Sequence, residues 1–194
     1  MECLRLIKPS LEYKEAGIDY INEHYAYNSP INGCGGLNRY LNDYEGWLKK
    51  LENDISNPGP DRVRALTYYL VRDSDNKIIG MVNIRLELND RLLRCGGNIG
   101  YGIRPTERRK GYNKINLYLA LEVCQKYGLD EILLDCEEQN LGSKKSMEAL
   151  GGLLISKYED RIEGKCLKYK INVSNSLKEY YNLYSQSKKL KKVR

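Results

Sequence analysis

The stretch IRPTERRKGYNKINLYLALE, residues 103–122, decides the fold because it joins the end of a strand to a helix through a cluster of positive charge. Arg108, Arg109 and Lys110 stand directly before Gly111, and the closely spaced apolar residues after Gly111 predict a helix. A helix N-terminus already carries a partial positive charge and unpaired N–H groups. The sequence therefore predicts either a bound anion at this helix start or a solvated basic turn.

Length and composition set the class of protein. The chain has 194 residues, of which 41% are hydrophobic and 30% are charged, so it is long enough for one domain with a buried core. It contains no apolar run long enough to cross a bilayer, and its first residues, MECLRLIKPSLEYKE, lack the apolar segment of an export signal. We therefore expect a soluble, cytoplasmic protein with no membrane partner.

The cysteines do not predict a metal site. The six cysteines are scattered, they include no C-x-x-C pair, and His24 is the single histidine available to share a metal with them. Free buried thiols are the simpler interpretation, so no metal is expected. His24 itself is expected to be a packed or exposed histidine and not a catalytic one.

Positive charge is concentrated at the C-terminus. The net charge is +6, and five of those charges belong to Lys188, Lys189, Lys191, Lys192 and Arg194, which leaves 6 − 5 = +1 for the rest of the chain. A tail of this kind contacts nucleic acid or an acidic surface, or it is a solvated helix end whose cations suit the helix dipole. We favour the solvated end, so a nucleic-acid partner is not expected. The predicted division is a single domain at residues 1–173 and a basic helix or tail at 174–194.

Hydrophobic periodicity and turn residues predict an α/β (α+β) chain. Ser10 is predicted to cap the first helix, and SDN is predicted to turn the hairpin. Strands are predicted at residues 3–7, 65–73, 77–88, 96–104, 131–136, 153–160 and 165–173. Helices are predicted at residues 10–25, 42–55, 111–127 and 140–150.

The central segment is predicted to be a strand, a crossover helix and a parallel strand. The run EILLDC, residues 131–136, has continuous apolar residues at its centre, as expected for a strand that is covered on both faces. A crossover helix points its N-terminus at the carboxyl edge of the sheet, where backbone N–H groups can receive a phosphate. The patterns G-x-x-x-x-G-K-[ST] and G-x-G-x-x-G are both absent from this segment, so the phosphate site is of another kind.

Two motifs in this region resemble those of the GCN5-related N-acetyltransferases (the GNAT superfamily), and the chain looks like the predicted bacterial acetyltransferases of that group. The segment RRKGYN, residues 108–113, is similar to the family's pyrophosphate-binding pattern Gln/Arg-x-x-Gly-x-Gly/Ala. The segment NLGSKKSMEALGG, residues 140–152, is similar to the second motif, in which an Asn precedes a short helix that ends in Leu-Gly-Phe. The resemblance is strongest over residues 81–152.

The resemblance implies a fold and a reaction. The implied fold is a mixed central sheet of about six to seven strands flanked by helices, with parallel strands splayed around acetyl-CoA. The implied reaction is acetyl transfer from acetyl-CoA, as co-substrate, to a small-molecule or peptide amine by direct attack within a ternary complex. A homodimer is also expected. The alternative is a non-catalytic acyl-CoA-binding or interaction module with a basic tail.

The resemblance also implies which residues bind acetyl-CoA. Backbone groups would hold the pyrophosphate at Arg109, Lys110, Gly111, Tyr112 and Asn113, with Arg108 at the family's Gln/Arg position. Ile103 and Arg104 would pair with the pantetheine amides, and their N–H groups would face the thioester oxygen. Asn140 and Ser143 would line the other side of the pantetheine arm.

The sequence departs from the family pattern at three positions. Asn113 replaces the usual Gly or Ala, and its side chain would either donate a hydrogen bond beside the phosphate or crowd the site. Met147 stands where many members carry a tyrosine that acts as general acid, and Gly152 stands where the closing aromatic is expected. The family's catalytic acid therefore cannot be transferred to this chain.

The remaining site predictions concern the acceptor. Glu137 follows the predicted strand at its carboxyl end. One interpretation makes it the general base or a residue that positions water, and the other makes it a solvated acid in a turn. Aromatic and acidic residues in the first third would suit a cationic amine, although tyrosines must also fill the packing role of phenylalanine, because the chain has 17 tyrosines and no phenylalanine. These residues are Tyr25, Tyr27, Tyr40, Asp43, Tyr44 and Glu45. The loop NGCGGLNRY, residues 32–40, is predicted to be a mobile lid over the acceptor.

Overall fold

The computed structural model describes residues 2–161 and 164–186, and these residues form seven strands and seven α-helices. The strands are β1 (Leu4–Ile7), β2 (Ala65–Arg72), β3 (Lys77–Arg85), β4 (Ile99–Ile103), β5 (Glu131–Glu137), β6 (Leu153–Asp160) and β7 (Gly164–Asn172). The helices are α1 (Lys14–Ala26), α2 (Tyr44–Ser56), α3 (Asp90–Arg94), α4 (Tyr112–Lys126), α5 (Leu141–Glu148), α6 (Val173–Glu179) and α7 (Tyr181–Tyr184). The predicted α+β class, with about seven strands flanked by helices, is confirmed.

The strands divide between two sheets. One sheet has the order β1-β2-β3-β4, the other has the order β5-β7-β6, and each ladder within them is antiparallel. The β2–β3 hairpin lies where it was predicted. The single mixed sheet expected from the sequence is thus two hydrogen-bonded sheets, and the chain passes from one to the other through α4.

The two sheets meet at one end of β4. The backbone N–H of Asn98 donates to the Leu133 carbonyl at 2.7 Å, and the Leu133 N–H donates to the Asn98 side-chain oxygen at 2.9 Å. Gly97 allows this approach, because a Cβ on it would lie 2.2 Å from the Leu133 carbonyl oxygen and its φ is +57°. From this junction the partners of the two strands diverge, since β4 pairs with β3 whereas β5 pairs with β7.

The helix α4 lies in the largest core cluster. Leu117 and Leu121 of this helix are both fully buried, and α6 packs against α4. The Tyr118 hydroxyl donates to the Leu177 carbonyl of α6 at 3.0 Å. Residues of α6 therefore pack against the core, and the predicted division at residue 173 stays a prediction. The rest of the predicted tail lies outside the described residues.

A second core cluster packs α1 and α2 against the other face of the four-stranded sheet, and tyrosines supply much of it. Tyr20, Tyr44 and Tyr69 are buried, and the Tyr44 and Tyr69 hydroxyls share a hydrogen bond of 2.9 Å. This confirms the packing interpretation for Tyr44. Ser10 makes no capping side-chain bond, because a 3-10 turn separates it from α1, so that prediction is wrong.

Among the residues that the structure describes, no helix is both long enough and apolar enough to cross a membrane.

Candidate functional site

The free edge of β4 provides backbone hydrogen-bonding groups. Residues of an antiparallel strand alternate between those bonded to the partner strand and those whose N–H and C=O groups point away from it. Arg104 is bonded to the partner strand, since its N–H donates to the Ile79 carbonyl at 2.9 Å. The β3–β4 register is regular, so bonded and outward-facing residues alternate from Arg104 toward the start of β4. Ile103 and Tyr101 therefore point their backbone groups away from β3, toward the space between β4 and β5.

This alternation corrects the prediction for Arg104. Its N–H is occupied by Ile79 and cannot pair with a pantetheine amide or face a thioester oxygen. Its guanidinium is also occupied, because the residue is only 2% exposed and its Nη1 lies 2.8 Å from both the Asp19 and the Glu23 carboxylates. Arg104 therefore links α1 to the end of β4 through ion pairs. The N–H of Ile103 keeps the outward orientation that its predicted role requires, whereas its carbonyl accepts a hydrogen bond from Arg108.

The loop that the sequence predicts to bind an anion occupies residues 108–111, directly before α4. Gly111 precedes the helix with φ +83°, and a Cβ built on it would meet nothing within 4 Å. Arg109 also has a positive φ, +62°, which is uncommon for a residue with a side chain and is often associated with binding sites. Space is thus open beside Gly111 at the start of α4, where an anion site at a helix N-terminus would lie.

Two of the three cations of the loop already have partners within the protein. Arg108 donates from Nε to the Ile103 carbonyl at 3.1 Å and from Nη2 to the Ser29 hydroxyl at 2.5 Å. The Lys110 ammonium lies 2.8 Å from the Glu107 carboxylate. The positive charge that raised the question of a missing anion is therefore partly balanced internally, while the Arg109 side chain is exposed.

Glu107 is a site residue that the sequence interpretation missed. It is 4% exposed and lies 3.2 Å from the Arg72 guanidinium and 3.2 Å from the Lys77 ammonium, in addition to Lys110. Burial alone would raise the pKa of Glu107, but hydrogen bonds from Lys110, Lys77 and Arg72 outweigh burial and lower it to about 2. Glu107 therefore ties the loop to the β2–β3 hairpin. The sequence pattern that could have identified Glu107 is an acid placed directly before three cations.

Tyr112 contributes its backbone to the loop and directs its side chain elsewhere. Its hydroxyl donates to the Glu2 carboxylate and accepts a hydrogen bond from Arg72 at 3.4 Å. The side chain of Tyr112 thus joins the cluster around Glu107, and only its N–H is available at the start of α4.

The first turn of α5 forms the opposite wall of the space beside β4. The Asn140 side chain accepts a hydrogen bond from the Ser143 N–H at 3.1 Å, so Asn140 is the N-cap of α5. The Ser143 hydroxyl lies 2.8 Å from the Tyr101 hydroxyl. Tyr101 was not predicted, and its place in the glycine-rich strand IGYGI was the only sign that it is special.

Asn113 joins α4 to α5. Its Nδ2 donates to the Ser146 hydroxyl at 3.0 Å, which is a contact within the protein, so both roles predicted for Asn113 beside a phosphate stay predictions. Its Oδ1 is buried and accepts no hydrogen bond from the residues that the structure describes. A buried acceptor without a donor is costly, so a ligand N–H at this position would be stabilising.

Glu137 and Met147 differ in their surroundings. Glu137 ends β5 with an exposed side chain, and its carbonyl accepts from the Asn140 N–H at 2.9 Å, so its role as base stays a prediction. Met147 is 0% exposed inside the core and offers no proton donor. Gly152 has no room for an aromatic side chain, because a Cβ there would lie 2.7 Å from the Met147 carbonyl oxygen.

The residues proposed for the acceptor do not form one site. Tyr44 is buried, whereas Tyr25 and Tyr27 are exposed. The loop at residues 32–40 packs on β4, since a Cβ on Gly33 would lie 2.7 Å from the Gly100 carbonyl oxygen, and its predicted mobility stays a prediction. His24 is buried, which is one of the two placements expected for it, and its Nδ1 lies 3.0 Å from the Pro30 carbonyl oxygen.

Comparison with known proteins places this geometry in context. Residues 37–152, which include the loop before α4 and the first turn of α5, match the model of the family described as "Acetyltransferase (GNAT) family". A search of the curated proteins finds no match.

Solved structures share the fold at low sequence identity. Mycobacterium smegmatis RimJ, in complex with CoA-disulfide, is 14% identical, with a TM-score of 0.69 and coverage of 92% of this chain and 89% of that chain. The ribosomal-protein-S5-alanine acetyltransferase of Vibrio fischeri is 14% identical, with a TM-score of 0.64 and coverage of 89% and 93%. The microcin C7 self-immunity acetyltransferase MccE, in complex with acetyl-CoA and AMP, is 16% identical, with a TM-score of 0.64 and the same coverage. Because the family model spans more than half of the sequence, the chain belongs to the acetyltransferase (GNAT) family.

Proposed function

We propose that this protein transfers an acetyl group from acetyl-CoA to an amine acceptor by direct attack within a ternary complex. The observation that carries the proposal is the continuity of two features. The outward-facing backbone of β4, at Tyr101 and Ile103, leads directly into a loop that opens the N-terminus of α4 at Gly111. Because the chain belongs to an acetyltransferase family, we interpret that arrangement as a binding site for acetyl-CoA.

The residues present fit a coenzyme A molecule. Gly111 leaves open space before the first N–H groups of α4, which suits a pyrophosphate, and Arg109 is exposed beside it. Ile103 offers a strand edge to the pantetheine amides, and the buried Oδ1 of Asn113 would accept from a ligand N–H. Ser143 lines the opposite side, and Asn140 holds the helix turn that places it.

The mechanism then follows from the groups that this chain supplies. Acetyl-CoA, when bound, supplies the thioester. The outward N–H group of Tyr101 would donate a hydrogen bond to the oxyanion that forms on the carbonyl, whereas that of Ile103, about 6.6 Å away along the strand, would pair with the pantetheine arm. The acceptor nitrogen attacks only when it is unprotonated, so we propose Glu137, at the end of β5, as the base that takes its proton directly or through water.

The acceptor is proposed to be a small-molecule or peptide amine. Proteins of this fold include enzymes named for a ribosomal-protein alanine and for spermidine, so the fold accommodates acceptors of both kinds. A concavity of about 570 Å³ at the start of α2 is lined by Asp43 and Glu45 but also by Lys14 and Lys49, so its charge does not select a cationic amine. The expected homodimer and cytoplasmic location stay predictions.

A non-catalytic acyl-CoA-binding module is the second candidate, because Met147 is buried and offers no acid. The deciding experiment is a screen of amines with acetyl-CoA, in which free thiol is measured as coenzyme A is released. Acetyl-CoA binding together with thiol release that depends on one class of amine supports the enzyme. Binding without release by any amine across pH 6–10 would support the binding module instead.

A further inference from the structure

Tyr101 and Ser143 form a hydrogen bond across the space between β4 and β5. Tyr101 lies at the middle of β4, Ser143 lies in the first turn of α5, and their hydroxyl oxygens are 2.8 Å apart. Ser143 is 8% exposed, so the contact is shielded from solvent. On the β4 side, this contact lies between the junction of the two sheets at Asn98 and the loop before α4.

The location of this pair relative to coenzyme A rests on the function proposed above. A pyrophosphate at Gly111 and a pantetheine arm along Ile103 would direct the far end of the arm toward the closed junction at Asn98. Two residues of a strand span about 6.6 Å, so the next outward-facing position after Ile103 is Tyr101. The sulfur-bearing end of the arm would therefore reach the level of the Tyr101 hydroxyl.

We propose that the Tyr101 hydroxyl donates a hydrogen bond to the coenzyme A sulfur as it becomes a thiolate. In the transfer, the lone pair of the acceptor nitrogen forms the C–N bond, and the C–S bond breaks with its electron pair remaining on sulfur. The extra proton of the nitrogen passes to the base or to water. Tyr101 keeps its own proton, and the thiolate is protonated later by solvent.

The surroundings of Tyr101 favour donation of a hydrogen bond over transfer of a proton. Burial raises the pKa of the Tyr101 phenol above its usual value, and the hydrogen bond with Ser143 only partly opposes this. The nearby Cys136 thiol of β5 also has its pKa raised by burial, to about 11, so it stays neutral. If the Ser143 hydroxyl donates to the phenol oxygen, the phenol proton is free for the sulfur.

The test compares coenzyme A with desulfo-coenzyme A, which lacks the sulfur, by calorimetric titration at about pH 9, where much of a thiol with a reference pKa near 8.5 is ionised. We expect the wild-type protein to bind coenzyme A about tenfold more tightly, the size of one charge-assisted hydrogen bond. Tyr101→Phe should lose this preference while its affinity for desulfo-coenzyme A stays unchanged. A purely structural role for the hydroxyl would weaken the binding of both compounds.

Tyr68→Phe is the matched control, because Tyr68 is half-buried on β2 and packs against the same core cluster as Tyr101. This variant should keep the tenfold preference. A preference for coenzyme A that survives in Tyr101→Phe would overturn the proposal and leave the proposed function intact. Failure of the wild-type protein to bind either compound would instead overturn the proposed function, and the role of Tyr101 with it.

Discussion

The Lys110 ammonium lies 2.8 Å from the buried Glu107 carboxylate, three residues earlier in the chain. The same carboxylate lies 3.2 Å from Arg72 and 3.2 Å from Lys77, at the two sides of the β2–β3 hairpin turn. A single acid thus links the loop before α4 to the β2–β3 hairpin. Lys110 consequently has a charged partner within the protein before any ligand binds.

Replacement of Glu107 by glutamine should destabilise the protein, because it leaves three neighbouring cations without their shared partner. We expect a loss of about 2 kcal/mol in the free energy of unfolding at pH 7, less than for a fully buried pair since Lys110 is half exposed. Denaturant titration followed by circular dichroism measures it. Glu87→Gln is the control, because Glu87 pairs with Arg64 at an exposed site and should change stability by at most about 0.5 kcal/mol.

The stability contributed by Glu107 should depend on pH in the acid range. Its pKa is lowered from 4.5 to about 2, so its contribution is fully present above pH 4.5 and is lost as the pH falls from 4.5 toward 2. Glu107→Gln should therefore lose less stability than the wild-type protein over that range. Parallel acid titrations of the two proteins would contradict this assignment of the lowered pKa.

The acetyl-transfer rate should rise with pH as the amine or its base deprotonates and then stay level through pH 10. An ordinary tyrosine acid ionises at about pH 10, whereas burial raises the pKa of Tyr101, and a thiol with a reference pKa near 8.5 leaves tolerably as a thiolate. A pH–rate profile with a good acceptor measures this. A falling limb near pH 10 that vanishes when one tyrosine becomes phenylalanine would identify a general acid and refute the prediction.

Deletion of residues 188–194 should leave the affinity for acetyl-CoA unchanged, because the residues proposed to bind it lie between Ile103 and Ser143. Calorimetric titration of the shortened and full-length proteins at the same ionic strength gives the comparison. A loss of tenfold or more on deletion would mean that the basic segment contributes to the site.

The sequence predicted the site better where a backbone pattern defines it than where side chains from distant segments meet. The helix starts at Gly111 and at Asn140 follow from local chemistry, and both lie where they were expected. The bonds of Arg104 to α1 depend instead on how helices pack on the sheet. No local pattern in the sequence reports such a contact.

Tyr101 and the α3 turn illustrate the same limit. Tyr101 acquires its partner Ser143 only because α5 brings a residue 42 positions later to the strand. The helix α3 is too short for periodicity to detect, and its cap by Asn89 is visible only in the structure. The division into two sheets was missed because an apolar strand pattern does not report which neighbours a strand pairs with.

The central claim is that the loop before α4 binds the pyrophosphate of acetyl-CoA, and substitution of Gly111 tests it most directly. A glutamate there would bring a carboxylate to the open space in front of the helix N-terminus. Gly128 gives a matched control at the other end of α4, since it has a positive φ of +75° and its Cβ would also meet nothing within 4 Å.

The measurement is calorimetric titration of acetyl-CoA into the wild-type protein, Gly111→Glu and Gly128→Glu, with melting temperatures recorded in parallel. We predict that Gly111→Glu lowers the affinity at least about 100-fold, roughly 2.7 kcal/mol, and abolishes the rise in melting temperature that acetyl-CoA causes. Gly128→Glu should bind as the wild-type protein does. Equal affinity for acetyl-CoA in all three proteins would contradict the assignment of the loop.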